Sequence, residues 1–226
     1  MIAKRVDPSL LRYRFQTLEI GGHDIHYRSL RDRQQFEDNE ERAEKLGISP
    51  ASWSMFGVVW QAGEVLAQLM AVYDIDSRRI LEVGCGVGLA SLVLNKRHAN
   101  ISATDYHPSA RRYLNFNVRI NGDRKIPFLR AGWGDPRNED FGLFDLIIAS
   151  DVMFEPDHAA KLAHFLELYA KPRSEIILVE AGRGYMPEFS RYLEQTGFER
   201  DQLPSIAPFT DAAAYKGKIL RFRRGY

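Results

Sequence analysis

A glycine-rich loop and two carboxylates are the residues in this sequence best suited to bind a ligand. The loop, Gly84-Cys-Gly-Val-Gly88, directly follows the short apolar run 79–83. Glycines at a strand-to-helix turn let the backbone approach a ligand closely, and the start of the helix offers unpaired N–H donors. Glu82 precedes the loop, and Asp105 ends the next apolar run. A carboxylate at that place can accept hydrogen bonds from both ribose hydroxyls, so the pattern predicts a nucleoside ligand rather than a purely structural turn.

The spacing of the loop separates two kinds of nucleotide enzyme. A dinucleotide fingerprint, G-x-G-x-x-G/A, needs a small residue at position 89, but Leu89 stands there and the third glycine comes one residue early. An oxidoreductase that binds a nicotinamide dinucleotide is therefore a disfavoured alternative.

A third carboxylate follows another buried strand. The apolar run 144–149 leads into Ser150 and Asp151. A carboxylate at the carboxyl end of such a strand is predicted to face the same ligand, although Asp151 could instead cap a helix beginning near Pro156. The lone Cys85 is interpreted as a small filler of the loop rather than a nucleophile. No metal site is predicted, since His158 and His164 do not share a helix face.

Strands that alternate with helices must position these residues. Such alternation predicts a doubly wound, mostly parallel, Rossmann-like α/β sheet covered on both faces. The expected strands are 79–83, 101–105, 126–129, 144–149, 175–179 and 217–223. Five helices are expected: 58–73, from the glycine loop to about 96, from 108 to about 121, 156–169 and 187–195. Before them, the runs 15–20 and 23–28 predict a hairpin around Gly21-Gly22, and 31–46 predicts a charged surface helix that ends at Gly47. We expect residues 1–54 to form an N-terminal extension and residues 55–226 the main domain.

Composition narrows the class of protein further. The 226 residues are 45% hydrophobic and carry a formal net charge of +1, so no global basic field favours nucleic acid. The basic C-terminal stretch 216–226 is interpreted as a solvated strand, with an acidic partner as the alternative. One cysteine excludes an internal disulfide, and neither a signal peptide nor a membrane span is predicted. These features predict a cytoplasmic, monomeric protein without nucleic-acid or membrane partners.

Three motifs together resemble a known enzyme superfamily. They are Glu82-Val-Gly-Cys-Gly-Val-Gly88, Asp105 and Asp145-Leu-Ile-Ile-Ala-Ser-Asp151. The chain is similar over roughly residues 55–223 to class I S-adenosylmethionine-dependent methyltransferases. The resemblance implies a seven-stranded sheet, S-adenosyl-L-methionine as cofactor and S-adenosyl-L-homocysteine as product. It implies a cofactor site made of Trp60, Glu82, Gly84, Cys85, Gly86, Gly88, Asp105, Tyr106, Trp133 and Ser150.

The resemblance also implies what several of these residues do. The backbone of 84–86 passes under the methionine part of the cofactor, and Asp105 takes the ribose hydroxyls. Trp133 packs beside the adenine, while Trp60 closes over the methionine end. From the residues alone, Trp60 on an amphipathic helix could equally be core packing, whereas Trp133 lies between two glycines with little core to fill.

Four further segments resemble a narrower group, the protein-lysine and nicotinamide N-methyltransferase-like proteins. They are Gly57-Val-Val-Trp60, Leu114-Asn-Phe-Asn-Val-Arg-Ile-Asn121, Ala131-Gly-Trp-Gly134 and Asp151-Val-Met-Phe154. The group implies methyl transfer to a protein side-chain nitrogen, with lysine first, and makes Asp151 and Phe154 the catalytic candidates. Its lysine methyltransferases usually carry Asp-x-x-Tyr, so Phe154 keeps the ring and lacks the hydroxyl. A small-molecule amine acceptor and a non-catalytic cofactor-binding scaffold remain the alternatives.

The expected charge at the site mouth also bears on the acceptor. Glu155 and Asp157 follow the Asp151 motif and add negative charge there. That charge favours a cationic or basic acceptor.

Overall fold

A computed structural model describes residues 12–31, 41, 44–48, 55–201, 203 and 215–226, and these residues form a two-stranded hairpin and a seven-stranded sheet. The strands are β1 Tyr13–Ile20, β2 His23–Leu30, β3 Arg79–Val83, β4 Asn100–Asp105, β5 Phe128–Arg130, β6 Phe144–Ser150, β7 Ala170–Glu180, β8 Glu199–Asp201 and β9 Lys218–Arg224. The α-helices are α1 Gln61–Val72, α2 Leu89–Lys96, α3 Ala110–Ile120, α4 His158–Tyr169 and α5 Met186–Gln195. Within this part of the chain, none of the helices is both long and apolar enough to cross a membrane.

The large sheet has the strand order β5-β4-β3-β6-β7-β9-β8. The first five strands pair in parallel, and β9 is antiparallel to both β7 and β8. The chain proceeds from β3 outward through β4 to β5, then returns to the other side of β3 with β6. This reversal places a crevice at the carboxyl ends of β3 and β6, where ligands of doubly wound sheets bind.

Buried apolar side chains cover both faces of the sheet. One cluster joins α1, α2 and part of α3 to the sheet, and the other joins α4 and α5 to its opposite face. The hairpin contributes Ile20, Ile25 and Tyr27 to the first cluster. This two-sided cover explains why the central strands are almost continuous apolar runs, as the sequence predicted.

Two asparagines of α3 fasten the hairpin to the core. The side chain of Asn117 accepts the Arg28 N–H at 2.8 Å and donates to the Val87 carbonyl at 2.9 Å. The side chain of Asn121 accepts the His26 N–H at 2.9 Å and donates to the His26 carbonyl at 2.6 Å. Asn117 therefore connects the hairpin directly to the glycine loop.

The predicted seven-stranded α/β fold with an N-terminal hairpin is confirmed, and the differences lie at element ends. Helix α1 begins at Gln61 rather than Val58, because the chain is still extended at Trp60. Strand β8 was not predicted. Of the predicted helix 31–46, most residues lie outside the described part, and residues 44–46 form a 3-10 turn before Gly47. The boundary at 54/55 also falls beside undescribed residues and stays a prediction.

The basic C-terminal stretch forms the predicted strand, but it lies between β7 and β8 and Arg221 is buried rather than solvated. Arg221 and Arg223 contact Asp201 at 2.6 and 3.3 Å, and Arg224 donates to the Lys171 carbonyl at 3.1 Å. These arginines therefore have partners within the fold.

Candidate active site

A cleft of about 590 Å³ opens at the carboxyl ends of β3, β4 and β6. Its lining includes eleven of the twelve residues predicted for the site: Trp60, Glu82, Gly84, Cys85, Gly86, Asp105, Tyr106, Trp133, Ser150, Asp151 and Phe154. Gly88 is outside the lining. The fold therefore brings together residues that are up to 94 positions apart in the chain, between Trp60 and Phe154.

Two glycines of the loop are required for different reasons. Gly84 has a φ of 65°, and a Cβ there would lie 2.6 Å from Val152 Cγ1, so the loop and the segment after β6 are in close contact. Gly88 has a φ of 84°, and a Cβ there would lie 2.4 Å from Leu114 Cδ1. Gly88 thus lets α2 pack against α3, a structural role, whereas it was predicted to bind the cofactor directly.

The carboxyl group of Glu82 holds the first turn of α2. Its Oε2 accepts the Ser91 N–H at 2.9 Å and also the Ser91 hydroxyl. Burial raises the pKa of Glu82 to about 7, which the two hydrogen bonds from Ser91 oppose. Glu82 thus connects the strand before the glycine loop to the helix after it.

The carboxyl group of Asp105 is oriented by the backbone on both sides. Its Oδ2 accepts the Gly86 N–H at 2.8 Å, and its Oδ1 accepts the His107 N–H at 2.7 Å. Burial raises its pKa, against the hydrogen bonds from the backbone. Each oxygen keeps a further lone pair, so the fixed carboxylate can accept two hydroxyls from the cleft.

Cys85 is buried beside the same loop. Its backbone N–H donates to the Thr104 carbonyl at 3.0 Å. Burial raises the pKa of its thiol, with Asp105 and Glu82 adding to the effect. A neutral thiol suits the predicted role as a filler and does not suit a nucleophile.

Aromatic rings form the walls of the cleft. The indole N–H of Trp60 donates to the Met55 carbonyl at 2.9 Å, which fixes that ring at the start of α1. Trp133 meets the His158 ring edge-on, with 5.1 Å between centroids. The Tyr106 hydroxyl donates to the Leu46 carbonyl, and residues 46–48 form part of the wall.

Asp151 is the most constrained residue of the cleft. Its φ of 52° lies in the left-handed region, and its N–H donates to the Val179 carbonyl at 2.8 Å. Both carboxylate oxygens accept hydrogen bonds from Arg183, with 2.9 Å between Nη2 and Oδ2. The alternative in which Asp151 caps the next helix is wrong, because Asp157 is the residue that precedes α4.

Glu180 secures the segment that follows Asp151. Its Oε1 lies 3.2 Å from the Val152 nitrogen and 3.4 Å from the Met153 nitrogen, and accepts from both. Burial raises the pKa of Glu180 to about 7. The end of β7 therefore holds the loop after β6 in place.

Phe154 and the acidic residues after it pack around His158. The rings of Phe154 and His158 meet edge-on with centroids 4.7 Å apart, and His158 Nε2 lies 3.4 Å from a Glu155 carboxylate oxygen. Asp157 contacts Lys161 at 2.5 Å. Lys161 thus partly offsets the negative charge expected at the site mouth. Among the described residues, Glu155, Asp157 and His158 each bring one possible ligand atom within 4.8 Å of the others, a grouping that the sequence did not predict.

Sequence reasoning missed Glu180 and Arg183. The signal for Glu180 was present, since it is a carboxylate directly after the apolar run 176–179. No local pattern marked Arg183, which lies in the loop between β7 and α5.

Comparison with known proteins shows which family the chain resembles. A family model described as lysine methyltransferase matches residues 45–195. Protein N-lysine methyltransferase METTL21A of Danio rerio is 30% identical over 56% of this chain and 62% of its own length. The electron transfer flavoprotein beta subunit lysine methyltransferase of Mus musculus is 27% identical over 66% of this chain and 57% of its own. The calmodulin-lysine N-methyltransferase of Arabidopsis thaliana is 27% identical over 61% and 49%. The chain thus spans about half to three fifths of the length of these relatives.

Solved structures support the fold at lower identity. Magnesium protoporphyrin IX methyltransferase from Synechocystis PCC 6803, with bound SAM, has a TM-score of 0.55 at 20% identity, covering 73% of this chain and 78% of its own. A ribosomal protein L11 methylase from Lactobacillus delbrueckii subsp. bulgaricus has a TM-score of 0.57 at 18% identity, covering 76% and 83%.

Proposed function

Because this chain belongs to the lysine methyltransferase family, we propose that it transfers a methyl group from S-adenosylmethionine to a protein side-chain nitrogen, with lysine as the first candidate. Membership supports the predicted methyltransferase activity, and with it S-adenosylmethionine as the cofactor. The observation that carries the proposal for this chain is the single cleft that contains Asp105, Trp133 and Asp151.

The residues of the cleft fit the cofactor along its length. Asp105 is fixed with free lone pairs toward the cleft, which suits two ribose hydroxyls. A Cβ built on Gly86 would meet nothing within 4 Å, so the backbone borders open space where a ligand can approach. Trp133 offers a flat apolar surface for the adenine, and Trp60 offers one near Asp151 and Ser150.

The reaction places few chemical demands on the protein. The bound cofactor supplies a methyl group on a positively charged sulfur, ready for direct displacement. The chain must align the acceptor nitrogen with that bond and exclude water, and the aromatic walls serve both needs. A lysine must first lose a proton, which at pH 7 costs about 4.6 kcal/mol from its ordinary pKa of ~10.4. The acceptor end of the cleft should therefore favour an uncharged amine.

Phe154 takes the place of the tyrosine usual in related enzymes. Its ring packs edge-on to His158 and lines the cleft, so it can form an apolar wall for the acceptor side chain. Such a wall favours the neutral amine through desolvation. We propose Asp151 as a positioning and hydrogen-bonding group rather than a strong base.

Calorimetric titration with S-adenosylmethionine and S-adenosylhomocysteine tests the cofactor site. We expect micromolar binding by the wild type and at least ~10-fold weaker binding by Asp105→Ala, about 1.4 kcal/mol. The control Asp76→Ala removes an exposed carboxylate outside the cleft and should bind like the wild type. No binding by the wild type would refute the proposal.

Transfer of a radioactive methyl group tests the acceptor. The wild type is incubated with labelled S-adenosylmethionine and a lysate of proteins, and the acid hydrolysate is analysed for methylated lysine. We expect label in methyllysine with the wild type and a large loss with Asp105→Ala. Label only in small molecules would support the small-molecule alternative, and cofactor binding without any transfer would support the scaffold.

A further inference from the structure

We infer that Arg183 determines the acceptor specificity of the cleft: by neutralising Asp151 it prevents that carboxylate from trapping a cation, so that the acceptor amine is admitted in its uncharged, nucleophilic form. This inference rests on the proposed function and assigns a role to a residue outside the motifs.

The ion pair between Arg183 and Asp151 is bidentate, and its carboxylate is shielded from water while its guanidinium is partly exposed. Nη1 donates to Oδ1 and Nη2 to Oδ2, the latter at 2.9 Å. The Asp151 side chain is 6% exposed and that of Arg183 29%. A shielded, fork-shaped pair is stronger and more directional than an exposed ion pair.

Both partners are anchored by the end of β7. The N–H of Asp151 donates to the Val179 carbonyl, and Glu180 accepts the N–H groups of Val152 and Met153. Arg183 follows Glu180 by three residues in the chain. The end of β7 thus holds the backbone of Asp151, and the loop that follows it carries Arg183. The fold itself therefore brings the two side chains together.

Among the described groups that face Asp151, Arg183 supplies the positive charge that partly offsets the neighbouring carboxylates. Glu180 faces Asp151 from β7, and Tyr215 lies close enough for Asp151 and Glu180 to affect its pKa, which burial chiefly raises. On the other wall, Glu155 is beside His158. Without the guanidinium, Asp151 would be an unpaired carboxylate at the edge of a partly dry cleft.

An unpaired carboxylate there would oppose the reaction. An adjacent negative charge stabilises an ammonium and raises its pKa by about 1–3 units. An ammonium has no lone pair with which to attack a methyl group. By keeping Asp151 paired, Arg183 lowers this penalty and leaves the carboxylate able to orient a neutral amine.

Sinefungin provides a direct probe of this charge balance. It is an analogue of S-adenosylmethionine with a primary amine on carbon in place of the methyl sulfonium, so it presents a cation at the transfer position. S-adenosylhomocysteine has no charge there. The ratio of the two affinities, measured by calorimetry at pH 7, reports the field at that position independently of catalysis.

We expect Arg183→Gln to bind sinefungin about tenfold more tightly relative to S-adenosylhomocysteine than the wild type does. Tenfold corresponds to one pKa unit, the low end of the range for a neighbouring charge, because Arg183 is partly exposed. Arg183→Lys, which keeps the cation, should stay near the wild-type ratio. The control Arg191→Gln removes an exposed arginine of α5 and should leave the ratio unchanged.

A second substitution shows whether the effect passes through Asp151. Asp151→Asn alone should lower the preference for sinefungin below the wild-type ratio, because it removes the carboxylate and leaves the guanidinium. An unchanged ratio in Arg183→Gln, with normal S-adenosylhomocysteine binding, would overturn the inference and leave the proposed function standing. Failure of the wild type to bind either ligand would instead refute the proposed function, and the inference with it.

Discussion

Glu180 offers a test of the electrostatics at the end of β7 through protein stability. Its side chain is buried, with the residue 1% exposed. Burial raises its pKa from 4.5 to about 7, an effect that Asp151 increases and that the backbone N–H groups and Arg183 oppose. The substitution Glu180→Gln removes the titration and keeps an oxygen able to accept the N–H groups of Val152 and Met153.

The sign of the pH dependence follows from the direction of the shift. A raised pKa means that the folded protein binds the proton more tightly than the unfolded chain does. Glu180 therefore contributes stability that is full below pH ~4.5 and is lost as the pH rises through about 7. The shift of about 2.5 units, at ~1.36 kcal/mol per unit, amounts to about 3 kcal/mol, most of it between pH 5 and pH 8.

Urea unfolding at pH 5, 6, 7 and 8 measures this contribution. We expect the free energy of unfolding of Glu180→Gln, relative to the wild type, to increase by about 2–3 kcal/mol from pH 5 to pH 8. Glu82 also titrates near neutrality, but it is present in both proteins and cancels in the difference. Glu194→Gln, an exposed control on α5, should parallel the wild type. A difference for Glu180→Gln that is the same at pH 5 and pH 8 would refute a raised pKa at this site.

Two further predictions concern the glycine loop. Gly88→Ala should lower the midpoint of thermal unfolding more than Gly122→Ala does: both alanines take a left-handed conformation, at about 1–2 kcal/mol, but only position 88 also overpacks, against Leu114, at about 1–3 kcal/mol. Equal midpoints would contradict the close contact of α2 with α3. The buried thiol of Cys85, whose pKa is raised, should resist iodoacetamide at pH 8 in the folded protein and react fully in urea, as followed by mass spectrometry. Rapid labelling of the folded protein would contradict its burial.

The order of strands and helices was predictable because each central element carries its own apolar pattern. The structure differs from the prediction where contacts with residues distant in the chain determine the local conformation. Val58 is spaced like Ala62 and Val65 on the apolar face of a helix, yet it lines the cleft and the helix begins only at Gln61. Strand β8 is a polar triplet, Glu199–Asp201, and it is a strand because it pairs with β9 across the sheet. The residue types at 199–201 do not by themselves predict a strand that pairs with β9.

The sequence predicted those residues of the site that lie at the carboxyl ends of strands. Asp105 ends β4 and Asp151 follows β6, so parallel strands deliver both carboxylates to one edge of the sheet. The fixed geometry of Asp105 depends instead on the Gly86 and His107 N–H groups, which only the folded loops bring into place. Spacing along the chain therefore predicted which residues meet, and the structure was needed to show how they are held.

Glu180, which lies outside the motifs, is a third carboxylate at the carboxyl end of a central strand. Glu180 ends β7, the neighbour of β6, and so reaches the same edge as Asp151. Its carboxyl group turns toward backbone N–H groups, and the chain then bends so that Arg183 meets Asp151. The acceptor end of the cleft is thus a joint product of the motif after β6 and the loop after β7. Among related chains that share Asp-x-x-Tyr/Phe, we therefore expect the ratio of sinefungin to S-adenosylhomocysteine affinity to vary with the residue at the position of Arg183.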